Sequence, residues 1–325
     1  MIRAVIIGAG RIALSHIPHI SIHPKIELVA IVEPSIVARF IIKRLSRVKV
    51  ISSIDKLAYS DYDAAFILTP PHTHFQITKP LLDEGKHIFL EKPMSLDPCQ
   101  SHKLLELAKK NKLEFTVGYV YRHHPLFMRF KELLEKMVSE GILAAEINMC
   151  GNVVSEETPK TWRNKGVGSG CIYDYGCHVI NLALFLFGKP DEVICTEKKE
   201  LFQEGVVDKF SARLGFKNHK NFDLNVNCNW ADTTVRKAGI SIKIDSYDHS
   251  MWTDGQLLKL SGKNNLELSI KDVDTDVSYY LRGEEFQNQL DQFVASIISR
   301  SLNYQNLEHA VICDEIISQL HECKL

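Results

Sequence analysis

Six short apolar runs punctuate the first 120 residues: Arg3–Ile7, Glu27–Val32, Val48–Ile51, Ala64–Leu68, His87–Leu90 and Glu114–Gly118. Each is rich in Val, Ile, Leu or Phe at consecutive rather than alternate positions. A strand covered on both faces reads this way. Helix-like stretches separate the runs, and that alternation predicts a parallel sheet with crossover helices. One helix start is marked closely: Asp97 can cap, Pro98 suits the first helical position and Gln100 can complete a capping box. Pro80 falls inside the helix expected over Thr73–Glu84, which predicts a kink or a late start there.

After this the pattern changes. Longer runs appear at Ala145–Val153, Val193–Leu201, Asp208–Phe216, Phe222–Trp230, Ala238–Asp245, Gln256–Ser261 and Leu266–Lys271. Several alternate, as with Ile240, Ile242 and Ile244 against Ser241, Lys243 and Asp245, the signature of an antiparallel sheet with one face solvated or covered by a partner. Helices are expected over Leu126–Glu140, Tyr175–Phe187, Glu284–Arg300 and Leu307–Glu322. The boundary falls near Tyr119–Pro125. The fold class is therefore α/β: a Rossmann-type domain over 1–120, then an α+β domain over 121–325 with a large, mostly antiparallel sheet.

The first run leads into Gly8-Ala9-Gly10-Arg11-Ile12-Ala13, a Gly-x-Gly-x-x-Ala loop between strand and helix. The first glycine permits the tight turn, the second lets backbone approach a pyrophosphate, and the small third residue lets helix and strand pack closely. Phosphates would then lie at the helix N-terminus. Gly8, Gly10, Arg11 and Ile12 are the loop positions assigned to the cofactor. Glu33 ends the second strand, 20 residues past Ala13. An acidic group there accepts from ribose hydroxyls and repels a 2′-phosphate, favouring NAD over NADP.

Charge narrows the partners. The 39 Lys+Arg against 40 Asp+Glu give a net charge of −1, without the basic excess of a nucleic-acid binder or a polybasic membrane surface. No run reaches the ~18 apolar residues of a membrane span. Gly8, Gly10 and Arg11 interrupt the N-terminal apolar stretch too early for a signal peptide. The eight cysteines are scattered, and the expectation is reduced thiols in a cytoplasmic protein. His72 with His74, His123-His124, and Cys171 with Cys177-His178 lack structural zinc spacing, so no metal is expected.

Two further segments identify a family. One is Thr69-Pro70-Pro71-His72-Thr73-His74, followed after a helix by Gly85-Lys86-His87-Ile88-Phe89-Leu90-Glu91-Lys92-Pro93. The other is Gly168-Ser169-Gly170-Cys171-Ile172-Tyr173-Asp174-Tyr175-Gly176-Cys177-His178. With the N-terminal loop, these resemble the glucose–fructose oxidoreductase / inositol dehydrogenase (Gfo/Idh/MocA) family across essentially the whole chain. The resemblance implies an oxidoreductase acting on a sugar, cyclitol or nucleotide sugar, with Lys92, Asp174 and His178 catalytic. It implies that Thr69, Pro70, Pro71, His74, Glu91, Lys92, Pro93, Trp162 and Arg163 line or support the cofactor site. Tyr121, Arg122 and Asn181 then contact substrate, together with Lys92, Asp174 and His178. It also implies that the late helix from Glu284 packs on the sheet domain. A homodimer or homotetramer would cover an open sheet face that is otherwise exposed and apolar.

The chemistry is coherent with these side chains. Hydride leaves a C–H while a proton leaves the adjoining O–H, which calls for a base and a group that stabilises an alkoxide. His178 is the natural base and Lys92 the natural hydrogen-bond donor, although a desolvated Lys92 could exchange roles with it. Asp174 lies four residues before His178, which would place both on one helical face. Lys92–Pro93 is a candidate cis bond. Two departures stand out: Ser169 interrupts a glycine triplet, and Asn181 stands where relatives often carry aspartate. An Asn donates as well as accepts, so substrate identity is the property most affected. Two alternatives remain open at this point: a redox-neutral NAD-dependent glycosidase or lyase, and a non-catalytic NAD(P)-sensing regulator.

Overall fold

A computed structural model describes residues 1–45, 47–155, 157, 168–217, 221–235, 238–273 and 283–323. The chain divides into two units. The first is Met1–Val120 with a later stretch ending at Val311; the second is Tyr121–Asp276 with Ile312–Leu325.

In the first unit the six apolar runs become β1 (Ile2–Ile7), β2 (Ile26–Val32), β3 (Lys49–Ile51), β4 (Ala64–Ile67), β5 (His87–Leu90) and β6 (Phe115–Val117). All pair in parallel, in the order β3-β2-β1-β4-β5-β6. The order reverses between β1 and β4, and ligands of such sheets bind beyond the strand C-termini at that switch point. Gly8 follows β1 and Thr69 lies just past β4, so both motifs start there.

The connecting helices are α1 (Ala13–Ile22), α2 (Ile36–Leu45), α3 (His74–Asp83) and α4 (Pro98–Asn111). The Asp97 carboxylate caps α4 by accepting from the Cys99 N–H at 2.9 Å, with Pro98 in the first turn. The expected capping box closes differently. The Asp97 N–H donates to Ser95 Oγ at 3.2 Å, and Gln100 Oε1 accepts from the same hydroxyl at 3.1 Å. Helix α3 does not start late but runs from His74 through Pro80 to Asp83. Pro80 sits three residues from its C-terminus, where the missing N–H removes a single bond of the last turns.

Phe66 and Phe89 stack 5.3 Å apart on the sheet, and Phe293 meets them edge-on at 5.5 and 5.9 Å. Phe293 belongs to α8 (Glu284–Ser299), which also packs against α1. Each ring is fully buried, so truncating any one to alanine removes ~3–5 kcal/mol. Glu114 lies at the edge of this region. It accepts from the Thr116 hydroxyl at 2.8 Å, and burial raises its carboxyl to about 7. The fold therefore keeps a proton that the unfolded chain releases near its ordinary carboxylate range. Stability falls as pH rises between those two values and is level above about 7. Glu114→Gln is expected to abolish that decline and to exceed wild type by about 3 kcal/mol on the alkaline side. Urea unfolding at mildly acidic and mildly alkaline pH measures it; parallel pH profiles for variant and wild type would show Glu114 ionised in the fold.

The second unit holds an eight-stranded sheet: β7 (Ile142–Cys150), β8 (Glu192–Lys199), β9 (Lys209–Phe216), β10 (Phe222–Asn229), β11 (Gly239–Ser246), β12 (His249–Thr253), β13 (Leu257–Gly262) and β14 (Leu266–Ser269). Their order is β14-β13-β12-β11-β7-β10-β9-β8, with β7 and β10 parallel and every other pair antiparallel. Sequence patterning missed β12, whose His249-Ser250-Met251-Trp252-Thr253 mixes polar and apolar side chains. The Leu266–Lys271 run ends early, because Ile270–Val273 turns into the short helix α7. Helices α5 (Pro125–Glu140) and α6 (Cys177–Phe187) cover the sheet, and α9 (Gln305–Glu322) enters this unit at Ile312.

Register sorts the sheet's side chains by row. Ile242, Ile147, Val226 and Ala212 are aligned across four strands and buried. The adjacent rows are Lys243-Glu146-Asn225-Arg213 and Ser241-Asn148-Asn227-Ser211. Asn227 Nδ2 donates to Glu146 Oε1 at 3.0 Å and to Asn148 Oδ1 at 2.9 Å. These rows correct the expectation of an exposed apolar face. The two-residue period sends the apolar set to the buried side and leaves a polar one opposite. No helix among the described residues is long and apolar enough to cross a membrane.

Candidate functional site

In the first unit, Gly8 has φ +92°, and a Cβ there would stand 2.8 Å from Thr69 Cγ2 and 2.9 Å from Leu68 O. Only glycine closes the β1 turn against the end of β4. At Gly10 a Cβ would meet nothing within 4 Å, so the backbone there is open, as the approach of a pyrophosphate requires. No side chain caps α1. Arg11 is exposed and Ile12 half-buried in the turn before it. Glu33 is buried, with Oε2 accepting from the Ala9 N–H at 2.9 Å and Oε1 from the Ser35 N–H at 2.8 Å. Each oxygen retains a lone pair for a further donor. The open glycine loop and the carboxylate beside it fit a dinucleotide.

Thr69, Pro70 and Pro71 form the turn after β4. The Thr73 hydroxyl closes it onto Thr69 Oγ1 at 2.7 Å. His74 is fully buried, with Nδ1 2.8 Å from Pro93 O and Nε2 2.9 Å from Thr69 O. Both ring nitrogens thus face backbone carbonyls, and His74 stitches the Thr69 turn to the Lys92-Pro93 turn. Burial lowers its pKa, against the opposing pull of the two carbonyls. Lys92 is half-buried and the Lys92–Pro93 bond is cis. Glu91 packs so closely on Gly118 that a Cβ there would lie 3.0 Å from Glu91 Oε1.

Sequence reasoning missed His16. Its Nε2 donates to Glu91 Oε1 at 2.7 Å, while the Lys92 N–H donates to Glu91 Oε2 at 3.2 Å. His16 and His74 therefore hold the residues on either side of Lys92. The available signal was a histidine three positions after the small residue of the glycine loop, on the inward face of α1.

In the second unit, Gly170 has φ +99°, and a Cβ there would press on Val207 O at 3.1 Å. The chain then enters a single π-helical turn, Ile172–Gly176, before α6. A π turn is wider than an α turn and is frequent at functional sites. Asp174 therefore lies in the π turn and His178 in the first turn of α6, rather than both within regular α-helix. Asp174 is buried, and His178 is half-buried with its ring edge-to-face with Tyr121, centroids 5.0 Å apart. Arg122 is buried with its guanidinium 5.2 Å from the Phe185 ring. Asn181 is buried, and neither its Oδ1 nor its Nδ2 has a hydrogen-bond partner among the described residues. Such an amide, on the helix that carries His178, is suited to a ligand hydroxyl. Trp162 and Arg163 lie outside the described residues. Among the described residues, no group of three or more His, Cys, Asp or Glu could hold a metal ion.

Sheet order, glycine loop and the large second sheet together define a two-domain dinucleotide-binding protein. Residues 2–119 match the family model described as "Oxidoreductase family, NAD-binding Rossmann fold", and residues 127–244 match that of the "GFO/IDH/MocA C-terminal domain". The chain belongs to the GFO/IDH/MocA oxidoreductase family. It is 30% identical over 176 residues to Oxidoreductase P35 of Formosa agariphila, covering 51% of this chain and 53% of that protein. It is 27% identical over 155 residues to scyllo-inositol 2-dehydrogenase (NADP(+)) IolW of Bacillus subtilis, covering 47% and 43%. The matched region thus spans about half the length of these curated relatives. A levoglucosan dehydrogenase solved with NADH and levoglucosan shares the fold, with a TM-score of 0.85 at 17% identity over 98% of this chain and 97% of that one.

Proposed function

We propose that the protein is an NAD-dependent oxidoreductase that moves a hydride to or from a secondary carbinol carbon of a sugar or cyclitol. The observation that carries this reading is the occurrence of Lys92, Asp174 and His178 in their motif positions within a chain of this family. Bound NAD supplies the hydride acceptor. His178 takes the hydroxyl proton as the C–H bond breaks, and the C–O bond becomes a carbonyl. The Lys92 ammonium donates a hydrogen bond to the oxygen as alkoxide character develops. Asp174 orients the reacting group, Asn181 binds a neighbouring hydroxyl, and Tyr121 and Arg122 complete the substrate contacts. The reverse steps reduce a ketone. Glu33 holds the ribose and disfavours a 2′-phosphate.

The test is NADH formation on incubation with NAD and a panel of inositols, anhydrosugars, sugar acids and nucleotide sugars. A sustained rise in NADH absorbance with one of these supports the reading. Glycoside cleavage without net NADH would overturn it in favour of redox-neutral chemistry. The cofactor part is tested separately by Gly10→Val. The open backbone at Gly10 predicts an unchanged melting temperature and NADH binding weakened by ~10-fold or more, because the branched side chain fills the pyrophosphate approach. Wild-type affinity in this variant would remove the loop from the binding site.

A further inference from the structure

Helix α9 ends against β8, the edge strand of the eight-stranded sheet. Long side chains hold it there. Gln319 Nε2 donates to Val193 O at 3.2 Å, and Lys198 Nζ donates to His321 O at 2.8 Å and to Cys323 O at 2.6 Å. Between Val193 and Lys198 the register of β8 on β9 slips. Cys195 pairs with Ala212 and Glu197 with Ser211, which leaves Thr196 extra. Such a bulge re-aims the side chains of its strand. Cys195 is buried, with Sγ 3.7 Å from the Glu197 and Ser211 carbonyl oxygens, and it hydrogen-bonds with the Cys323 thiol. Cys323 is half-exposed, and both residues are thiols in this structure.

We propose that Cys195 and Cys323 are a redox pair that closes into a reversible disulfide and staples the end of α9 to the edge of the sheet. The co-reactant is a small disulfide of the glutathione class. The Cys323 thiolate attacks one sulfur of that disulfide, whose S–S bond breaks. One glutathione leaves as thiolate and a mixed disulfide forms on Cys323. The Cys195 thiolate then attacks the Cys323 sulfur and expels the second glutathione. The two protein thiols are oxidised, the external disulfide is reduced, and the protons of the protein thiols pass to the departing thiolates. Exposure suits Cys323 to the first step, and contact with it suits buried Cys195 to the second. Burial pushes the Cys195 thiol up, while the Lys198 ammonium pulls it towards the reactive thiolate. Gln319 and Lys198 already hold the two segments in contact. The staple constrains the unfolded chain over the long loop between the two cysteines, which stabilises the fold.

The experiment treats the full chain, without denaturant, with oxidised glutathione. Remaining thiols are then blocked with iodoacetamide and the digest is mapped by mass spectrometry. The expected result is a peptide pair joined through Cys195 and Cys323 and released by dithiothreitol, with exposed Cys99 carrying at most a glutathione adduct. Oxidation is expected to raise Tm by about 5 °C or more. Neither Cys195→Ser nor Cys323→Ser is expected to show that rise. Cys323 is half-exposed, so its variant tests the staple even if Cys195→Ser folds poorly. Recovery of Cys323 as a stable glutathione adduct, or of both cysteines as alkylated thiols, overturns the proposal. An equal rise in Tm in Cys323→Ser would place the gain at another cysteine and also overturns it. A joined pair without a rise in Tm overturns the stapling role.

Discussion

Lys92→Met is expected to lower turnover by about 10²–10⁴-fold while NADH affinity stays close to wild type. Methionine keeps an unbranched stem of similar length and removes the ammonium, so the change isolates charge and hydrogen-bond donation from packing. The backbone should hold its course. Glu91 remains bonded to the Lys92 N–H at 3.2 Å and to His16 at 2.7 Å, and Pro93 O remains 2.8 Å from His74. Turnover near wild type with the panel's best substrate would show that Lys92 has no part in the chemistry. Joint loss of turnover and NADH binding would make it a cofactor ligand instead.

His178→Asn is expected to lower kcat by a similar factor of about 10²–10⁴, with a smaller change in KM. Asparagine can still accept and donate hydrogen bonds, but it cannot take a proton at working pH. The pH–rate profile should therefore lose the limb contributed by the base. The edge-to-face contact with Tyr121 at 5.0 Å holds the imidazole plane, so Tyr121→Phe, which keeps the ring, should leave that limb in place. A His178→Asn enzyme with an unaltered pH profile would transfer the base role to Lys92.

The placement of α6 explains why substrate is harder to read than reaction class. Asp174 and His178 stand out through the motif's resemblance to the family, yet the π turn over Ile172–Gly176 sets how the two side chains are disposed. The π geometry itself went unread because no local propensity marks a wider turn. What positions it is packing and backbone bonding, such as the Cys171 N–H donating to Val207 O at 2.6 Å. Similarly, Asn181 is noticeable in the sequence as a departure from relatives. Only the fold shows its amide buried with both polar atoms unpaired among the described residues.

The residues of the first unit separate local from distant causes. A buried strand, a positive-φ glycine and a Pro-initiated helix each depend on a few neighbouring residues. β1 to β6, the turn at Gly8 and the Asp97 cap of α4 are therefore legible in the order of amino acids. The partners of those elements are not. His16 meets Glu91 across 75 residues, and Phe293 joins Phe66 and Phe89 from a helix far along the chain. The apolar pattern also left open what faces out from the second sheet, since a one-residue shift of register exchanges the two faces. The sequence by itself determined the strands of the first sheet, the glycine turn and the motifs that resemble the family, because each is written in residue type and short spacing. The tertiary structure alone decided what holds Lys92 and which sheet face is polar, because each depends on contacts between segments distant along the chain.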